Sequence, residues 1–300
     1  MTDARRMEIV ITSRDRRPRL LATLARLDAL GEGWPVTVVD DGSVDGTSAA
    51  VASAHPEATL LRLDASRGAA ARNLGVRRAS APYVAFCDDD SGWAPDALAR
   101  AVEILDDAPT VGVLVARVLT GRNRQVDPIC EQLAASPLLG RTGLPGPRVL
   151  GFLACGAVVR REAFLAVGGF HPRFGIGGEE ELLAVDLAVQ GWWCCYVPEV
   201  VAIHEPAARS SSGTREVRQI RNALWTAALR RPARPMVRRG VDVLAAPAAK
   251  GRRGAALAAA ARGAGFLLAE RRVVPPHVEA DLERLEDRCD GARLNRLGCG

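Results

Sequence analysis

Three consecutive aspartates, Asp88–Asp90, follow directly on the apolar run Tyr83–Cys87 in the stretch YVAFCDDDSGW. Carboxylates set so close repel one another, and a divalent cation relieves that repulsion most readily. Oxygen ligands that also meet phosphate suit Mg²⁺ or Mn²⁺. A solvated turn or a helix cap would use the same residues. A second acidic pair, Asp40-Asp41, ends another apolar run in VVDDGSVDGT. There Asp-Gly-Ser favours a tight turn, and Asp45 can cap the next helix. A third cluster, Glu179-Glu180-Glu181, follows Gly177-Gly178, where glutamates complement the dipole of a helix start. Gathered round one pocket, the three clusters suit metal-assisted transfer with a carboxylate as general base. His204, one of four histidines, stands at the end of an apolar run.

The elements that must position these groups alternate along the first half of the chain. Strand-like runs are Glu8–Thr12, Val36–Val39, Thr59–Leu63, Tyr83–Cys87 and Val111–Ala116. Between them, Arg19–Leu30, Thr47–Ala54, Gly68–Ala79 and Pro95–Asp107 carry helical spacing; in the first, Leu20, Leu24, Leu27 and Leu30 share a face. Mainly apolar strands joined by helical crossovers predict an α/β fold around a buried, mainly parallel sheet. Open sheets of this kind bind ligands at the carboxyl ends of their strands, where the aspartates fall.

From Arg117 to Leu150 the pattern breaks into a proline- and glycine-rich stretch that reads as a long loop. A strand at Ala157–Arg160, a helix near Glu162–Val167, the Gly168-Gly169 turn and a helix from Glu179 to Gln190 follow. A strand pair, Trp193–Val197 and Val200–Ile203, precedes a helix at Thr214–Arg231 and a helical tail.

Composition excludes several classes. With 48% hydrophobic and 25% charged residues in 300, the chain is neither disordered nor too small for a core. No apolar run reaches the roughly 18 residues of a membrane span. The charged Met1–Arg6 segment shows no secretory signal, and seven cysteines without a CxxC pair fit a reducing cytosol. Cys194-Cys195 is expected in the core. Hydrolase elbow, P-loop and Rossmann fingerprints are missing from the sequence.

The formal charge of +5 is split: residues 1–208 carry 21 basic and 26 acidic side chains, and residues 209–300 carry 19 and 9. Twelve basic residues against two acidic ones lie between 209 and 253. That segment can meet an anionic membrane, clamp a diphosphate, hold an anionic acceptor, or simply face solvent. Its basicity reads as a matter of acceptor or membrane rather than of the acidic site. Nucleic acid is not expected, since Trp225 is its only aromatic residue.

Taken in order, EIVITSRDR, VVDDGSVDGT, RGAAARNLGV, YVAFCDDD, GGFHPRFGIGGEEELLAVDLAVQGW and YVPEVVAIHEP resemble the successive signatures of the family 2 glycosyltransferases. The resemblance runs from about Met7 to Pro206. It implies the GT-A fold in residues 1–208, a helical extension over 209–300, a nucleotide-diphosphate sugar donor, a divalent metal and inversion at the anomeric carbon. Carried over by position, Asp88–Asp90 corresponds to the DxD metal motif. Asp90 is then the direct metal ligand, Asp88 lies nearer the ribose and Asp89 belongs with the nucleotide contacts. Asp40 and Asp41 match base- and ribose-contacting acids. Thr12, Ser13, Arg14 and Arg16 match the segment under the nucleobase. Arg67, Arg72 and Asn73 fall in the block beside the nucleotide. Glu179-Glu180 matches the Glu-Asp pair whose second member is the catalytic base, and His204 a histidine that approaches metal or diphosphate.

Three positions depart from the pattern. Glu180 stands where aspartate is usual, so Glu179 or Glu181 can serve in its place. Leu182 stands where an acidic residue is usual. Thr12-Ser13-Arg14-Asp15 replaces Pro-Thr-Tyr-Asn, and Arg14 either stacks on a base as tyrosine would or faces solvent. The expected activity is single-displacement sugar transfer to a hydroxyl of an unidentified acceptor, in the cytoplasm or at the inner membrane face. A sugar-phosphate nucleotidyltransferase would need a glycine-rich loop, and EIVITSRDRRPR has no glycine. A non-catalytic sugar-nucleotide binder is the remaining alternative.

Overall fold

In the computed structural model, the run Met7–Ser13 forms strand β1, with every side chain but Thr12 buried. Burial on both faces is what an uninterrupted apolar run demands, and helices cover both sides of the sheet. Residues 5–138, 143–206 and 213–293 are described, the last six as backbone only. Strands β2 (Val36–Asp40), β3 (Thr59–Arg62) and β4 (Tyr83–Asp88) join β1 in parallel, in the order β3-β2-β1-β4. Their connections are α1 (Arg17–Leu30), α2 (Thr47–Ala54), and a short 3-10 turn at Gly68–Ala71 leading into α3 (Arg72–Arg78). Gly75 of α3 lies so close to β1 that a Cβ there would meet Val10 Cγ1 at 2.4 Å.

Beyond β4 the sheet continues through β9 (Ala157–Arg160), β6 (Val111–Thr120), β10 (Trp193–His204) and β5 (Ser91–Trp93). β9 runs antiparallel to both β4 and β6, while β6 and β10 are parallel. Helices α4 (Ala97–Asp107), α6 (Arg161–Ala166) and α7 (Glu179–Val189) complete this part. One hydrophobic cluster, from Met7 to Ala202, joins the sheet to its helices.

Two sequence expectations change. The stretch expected as a long loop is partly ordered: β6 runs on to Thr120, β7 (Gln125–Val126) pairs back on it, and α5 (Pro128–Ala134) and β8 (Arg148–Val149) follow. The helix signal was local, since the Asp127 side chain accepts the Ile129 N–H at 3.1 Å and Pro128 starts the helix. Residues 139–142 of that stretch lie outside the described residues. The expected strand pair is one strand, β10, whose register against β6 slips between Val197 and Val201. Pro198 has no N–H to offer the ladder at that slip.

The C-terminal helices pack onto α7. α8 (Gly213–Arg230) and α11 (Ala264–Glu270) enclose Phe174, Leu182, Trp225, Leu229 and Phe266 in one cluster. α12 (Pro276–Arg293) brings Val278 and Leu282 against Val185 and Ala188. α9 (Ala233–Ala245) and α10 (Arg253–Ala261) pack on the remaining face of α8. Leu182 therefore fills an apolar seam between α7 and the extension, and an acidic residue there would be buried without a partner.

Five arginines of the basic segment are paired within the protein. Arg230 grips Asp186 with two bonds, and Arg231, itself buried, pairs with Glu279 and Glu286. Arg238 and Arg239 also reach Glu286, and Arg252 reaches Glu216. Four of these, Arg230, Arg231, Arg238 and Arg239, serve as counter-charge to α7 and α12. Arg209 lies outside the described residues.

Candidate active site

Parallel register brings the ends of three strands level. Ser13 stands opposite Asp40, and Thr12 opposite Asp88. A cavity of about 510 Å³ opens above them, lined by Thr12, Ser13, Arg14, Arg16, Asp41, Arg72, all three aspartates Asp88–Asp90 and His204. Gly68, Ile176, Pro206 and Arg215 complete its wall.

The aspartate triplet is held by a tight turn. Ser91 Oγ accepts the Asp88 N–H at 2.7 Å, and Thr23 Oγ1 of α1 donates to the Asp89 carbonyl at 2.9 Å. Glu205 N–H donates to the Asp90 carbonyl at 2.8 Å, which ties the end of β10 to the triplet. That tie places His204 Nε2 3.4 Å from Asp90 Oδ1. Asp89 and Asp90 are buried, and Asp88 is partly exposed. Burial pushes the Asp89 carboxyl up despite Arg16. For Asp90 burial pushes in the same sense, but the His204 contact, Arg16 and Arg19 outweigh it and hold the carboxyl low.

Arg72 is buried at the start of α3 and pairs with Asp88. Burial works against its charge, yet Asp88, with Glu179 and Glu180, raises its affinity for the proton above the usual value. Its Nε–H has no partner among the described residues, an orphaned buried donor on the wall of the cavity. Such a group calls for an acceptor oxygen.

Asp41 accepts from Ser66 Oγ at 2.6 Å and from the N–H groups of Arg67 and Gly68 at 2.6 and 3.0 Å. It thereby fixes the loop before α3. Gly68 (φ +58°) approaches Gly175 so closely that a Cβ would meet its Cα at 3.0 Å. The loop carrying Ile176 closes one side of the cavity at that contact.

The residues implied by the resemblance divide by where their polar atoms point. Asp40 is fully buried and turned into its own turn, accepting the Ser43 N–H at 2.8 Å and the Ser48 hydroxyl. Asn73 is buried too, and its amide exchanges two bonds with the Phe170 backbone, at 2.8 and 2.9 Å. Neither lines the cavity. Arg67 contributes its backbone N–H to Asp41, and its side chain is exposed. Arg14 is exposed, 3.6 Å from Asp15. Glu179 is buried and accepts the Gly177 N–H, turned back on the loop that leads into α7.

Glu180 lies beyond the cavity wall, beside Ala154, whose N–H it accepts. Burial, and then the neighbouring Glu179, push its carboxyl up to about 8. A base of that strength matches proton transfer near neutral pH. Glu181 turns away toward Arg239, at 3.9 Å.

Asn222 of α8, fully buried, donates to the carbonyls of Phe174 and Gly177 at 3.1 and 2.7 Å, bracing the loop that leads into α7. Arg221 also reaches the Phe174 carbonyl, at 2.6 Å. Sequence reasoning passed over these braces, and over Arg19 and Arg215 at the site. Arg19 had a signal, standing three residues after Arg16 at a helix start. Arg215 belongs to the basic segment and lines the cavity, which corrects the expectation that this segment bears only on acceptor or membrane.

Asp88, Asp90 and His204 supply two carboxylates and an imidazole to one cavity, a donor set that fits Mg²⁺ or, with its nitrogen, Mn²⁺. They are not drawn together as a closed cluster. Among the described residues, three ligand atoms lie within 4.8 Å of one another only at Asp28, His55 and Glu57, which pair with one another at the ends of α1 and α2 and do not line this cavity. The five described cysteines are free and buried, and burial pushes the Cys87 and Cys195 thiols up to about 12.

Comparison with known proteins agrees with this geometry. The sequence pattern of Glycosyl transferase family 2 matches residues 8–168. The N-acetylglucosaminyl-diphospho-decaprenol L-rhamnosyltransferase of Mycobacterium tuberculosis is 27% identical over 245 residues, covering 69% of this chain and 78% of that protein. The pre-mycofactocin glycosyltransferase of the same organism is 31% identical over 196 residues, 61% of this chain and 40% of that one. Among solved structures, the mannosyltransferase PcManGT from Pyrobaculum calidifontis, in complex with GDP-Man and Mn²⁺, superposes with a TM-score of 0.61 at 24% identity. That match covers 94% of this chain and 86% of the other. Residues 1–349 of Staphylococcus aureus TarS give 0.57 at 14% identity, over 80% and 71%. Both similarities are of fold, the GT-A arrangement of a central sheet flanked by helices.

Proposed function

Because this chain belongs to glycosyl transferase family 2, a family of glycosyl-transferring enzymes, we propose that it moves a sugar from a nucleotide-diphosphate donor to an acceptor hydroxyl, with inversion and with a divalent cation. The observation that carries this reading is the convergence of Asp88–Asp90, His204 and the orphaned Arg72 Nε–H on one cavity at three parallel strand ends. Asp88, Asp90 and His204 would hold the cation, which would supply Lewis-acid stabilisation of the departing diphosphate.

The protein's own groups do the rest. Arg72 offers an unpaired N–H to a phosphate oxygen, and Arg16 and Arg215 add positive charge to the cavity wall. Glu180, already poised to hold a proton near neutrality, takes the proton of the acceptor hydroxyl as its oxygen bonds the anomeric carbon. The bond from that carbon to the diphosphate oxygen breaks in the same displacement, so the configuration inverts and no sugar–enzyme bond forms.

We assign the acceptor to the lipid-linked class, supported by the mycobacterial relative named for a decaprenyl-diphosphate-linked acceptor. With such an acceptor the protein would work peripherally at the inner membrane face. None of the described helices is long and apolar enough to cross a bilayer. On α9, Arg234, Val237 and Val241 are exposed on one side, a face that suits contact with anionic lipid.

The test is thermal stabilisation by UDP, GDP and dTDP with Mn²⁺ or Mg²⁺, followed by nucleotide release from the matching sugars. At least one diphosphate should stabilise the protein only with metal, and Asp90→Ala should abolish that shift. A flat response to every diphosphate would overturn the donor assignment. Binding without turnover across a broad acceptor panel would favour a non-catalytic binder.

A further inference from the structure

Asp90 is crowded by cationic groups. Its Oδ2 accepts from Arg16 at 3.1 Å and from Arg19 at 3.4 Å, while its Oδ1 faces His204 Nε2 at 3.4 Å. Arg16 also donates to Asp89 Oδ1 at 3.0 Å, and Ser13 Oγ holds the other oxygen of Asp89 at 2.9 Å. The two carboxylates are more than nine-tenths buried, whereas the Arg16 side chain is 47% exposed. Buried carboxylates left without a cation are strongly disfavoured. A donor-free site therefore needs a resident positive charge, and Arg16 is shared by both aspartates.

A divalent cation held by Asp90 with Asp88 and His204 would bring two further positive charges to a carboxylate that Arg16 already neutralises. A guanidinium 3.1 Å from Oδ2 and a divalent cation on the same buried carboxylate repel each other strongly. The two arginines differ in freedom. Arg19 is tethered by a second bond to the Glu205 carbonyl at 3.3 Å, while Arg16 sits on the short link between β1 and α1, half in solvent and on the cavity wall. Its planar fork, once released, matches phosphate oxygens in geometry and charge.

We propose that Arg16 is a displaceable counter-ion, which holds Asp89 and Asp90 while no donor is bound and turns to the donor's diphosphate oxygens when a divalent cation takes Asp90. The inference rests on the metal–diphosphate reading above. It gives Arg16 a role distinct from lying under a nucleobase: the residue opposes metal entry without nucleotide and favours it with nucleotide. Metal and diphosphate are thereby taken up together, each removing a penalty that the other would face alone.

Calorimetric titration of the full chain separates this from a structural role. Mn²⁺ is titrated alone, and then the nucleoside diphosphate giving the largest thermal stabilisation is titrated at saturating Mn²⁺. Arg16→Gln should bind Mn²⁺ alone roughly tenfold more tightly and the diphosphate roughly tenfold more weakly, as expected for one charge-assisted contact. Arg16→Lys, which keeps the charge without the fork, should show the same signs at smaller size and serves if the first variant fails to fold. A purely structural residue would weaken both. Unchanged or weaker Mn²⁺ binding, or unaltered diphosphate binding, in a variant of a wild type that binds both overturns this inference alone. A wild type that binds neither ligand overturns the proposed function with it.

Discussion

Replacing Glu180 by glutamine should lower activity and raise stability at once, with pH dependences that run in opposite directions. The carboxyl sits at about 8 in the folded protein against 4.5 for an ordinary glutamate, because burial and then Glu179 disfavour its charge. As a base it must be ionised, which at pH 6 holds for about 1% of molecules, at pH 7 for about 9% and at pH 9 for about 91%. Wild-type kcat/KM should therefore rise about tenfold per unit below neutrality and level off above 8. Glu180→Gln should remove this limb and cost about 10²–10⁴-fold at the plateau.

For stability the sign reverses. Between 4.5 and about 8 the folded protein keeps a proton that the unfolded chain releases, so stability falls as pH rises through that window and the full penalty is present above it. A shift of that size has a ceiling of about 5 kcal/mol at 1.36 kcal/mol per unit. Relaxation of the site and water entering it when the carboxylate ionises take up much of that ceiling, leaving about 2 kcal/mol. Glutamine escapes the penalty, so the variant should melt about 4 °C above wild type at pH 8.5 and close to it at pH 5. Rate profiles from pH 5.5 to 9 and calorimetric scans at the two pH values check both halves. A flat wild-type profile, or a variant no more stable at pH 8.5, would refute the assignment of a proton-holding base at this position.

Two further outcomes test how the C-terminal helices support the site. Asn222→Ala strips the Phe174 and Gly177 carbonyls of their buried donor, which should cost about 2–4 kcal/mol in denaturant unfolding and lower kcat, since that loop leads into Glu179 and Glu180. Arg231→Ala leaves the buried Glu279 without its ion-pair partner and Glu286 with only Arg238 and Arg239, with an expected loss of about 3–5 kcal/mol at pH 7; an unchanged midpoint would show that α12 is not fastened there.

How much of the site was legible in the sequence varied with the reach of each interaction. The aspartates after Cys87 were readable because a strand end and its turn are local, and so were the glutamates in the first turn of α7. Leu182 looked like a missing acid and is a core residue, since its neighbours Trp225 and Phe266 come from helices far along the chain. The Asp127-Pro128 helix start was local and readable, yet the surrounding prolines and glycines hid it.

The sequence by itself determined the order of strands and helices and the presence of carboxylates at three strand or helix ends, because hydrophobic period and turn chemistry act over a few residues. Only the tertiary structure decided which polar groups face the cavity. Asn73 is claimed by Phe170, 97 residues away, and Asp41 by the Arg67 and Gly68 backbone. Arg215 enters from the basic segment, while Arg230 and Arg231 of that segment are spent on α7 and α12. The physical reason is common to all of them: a buried polar group must find a partner, and the partner it finds is set by packing between distant segments rather than by its neighbours in the chain.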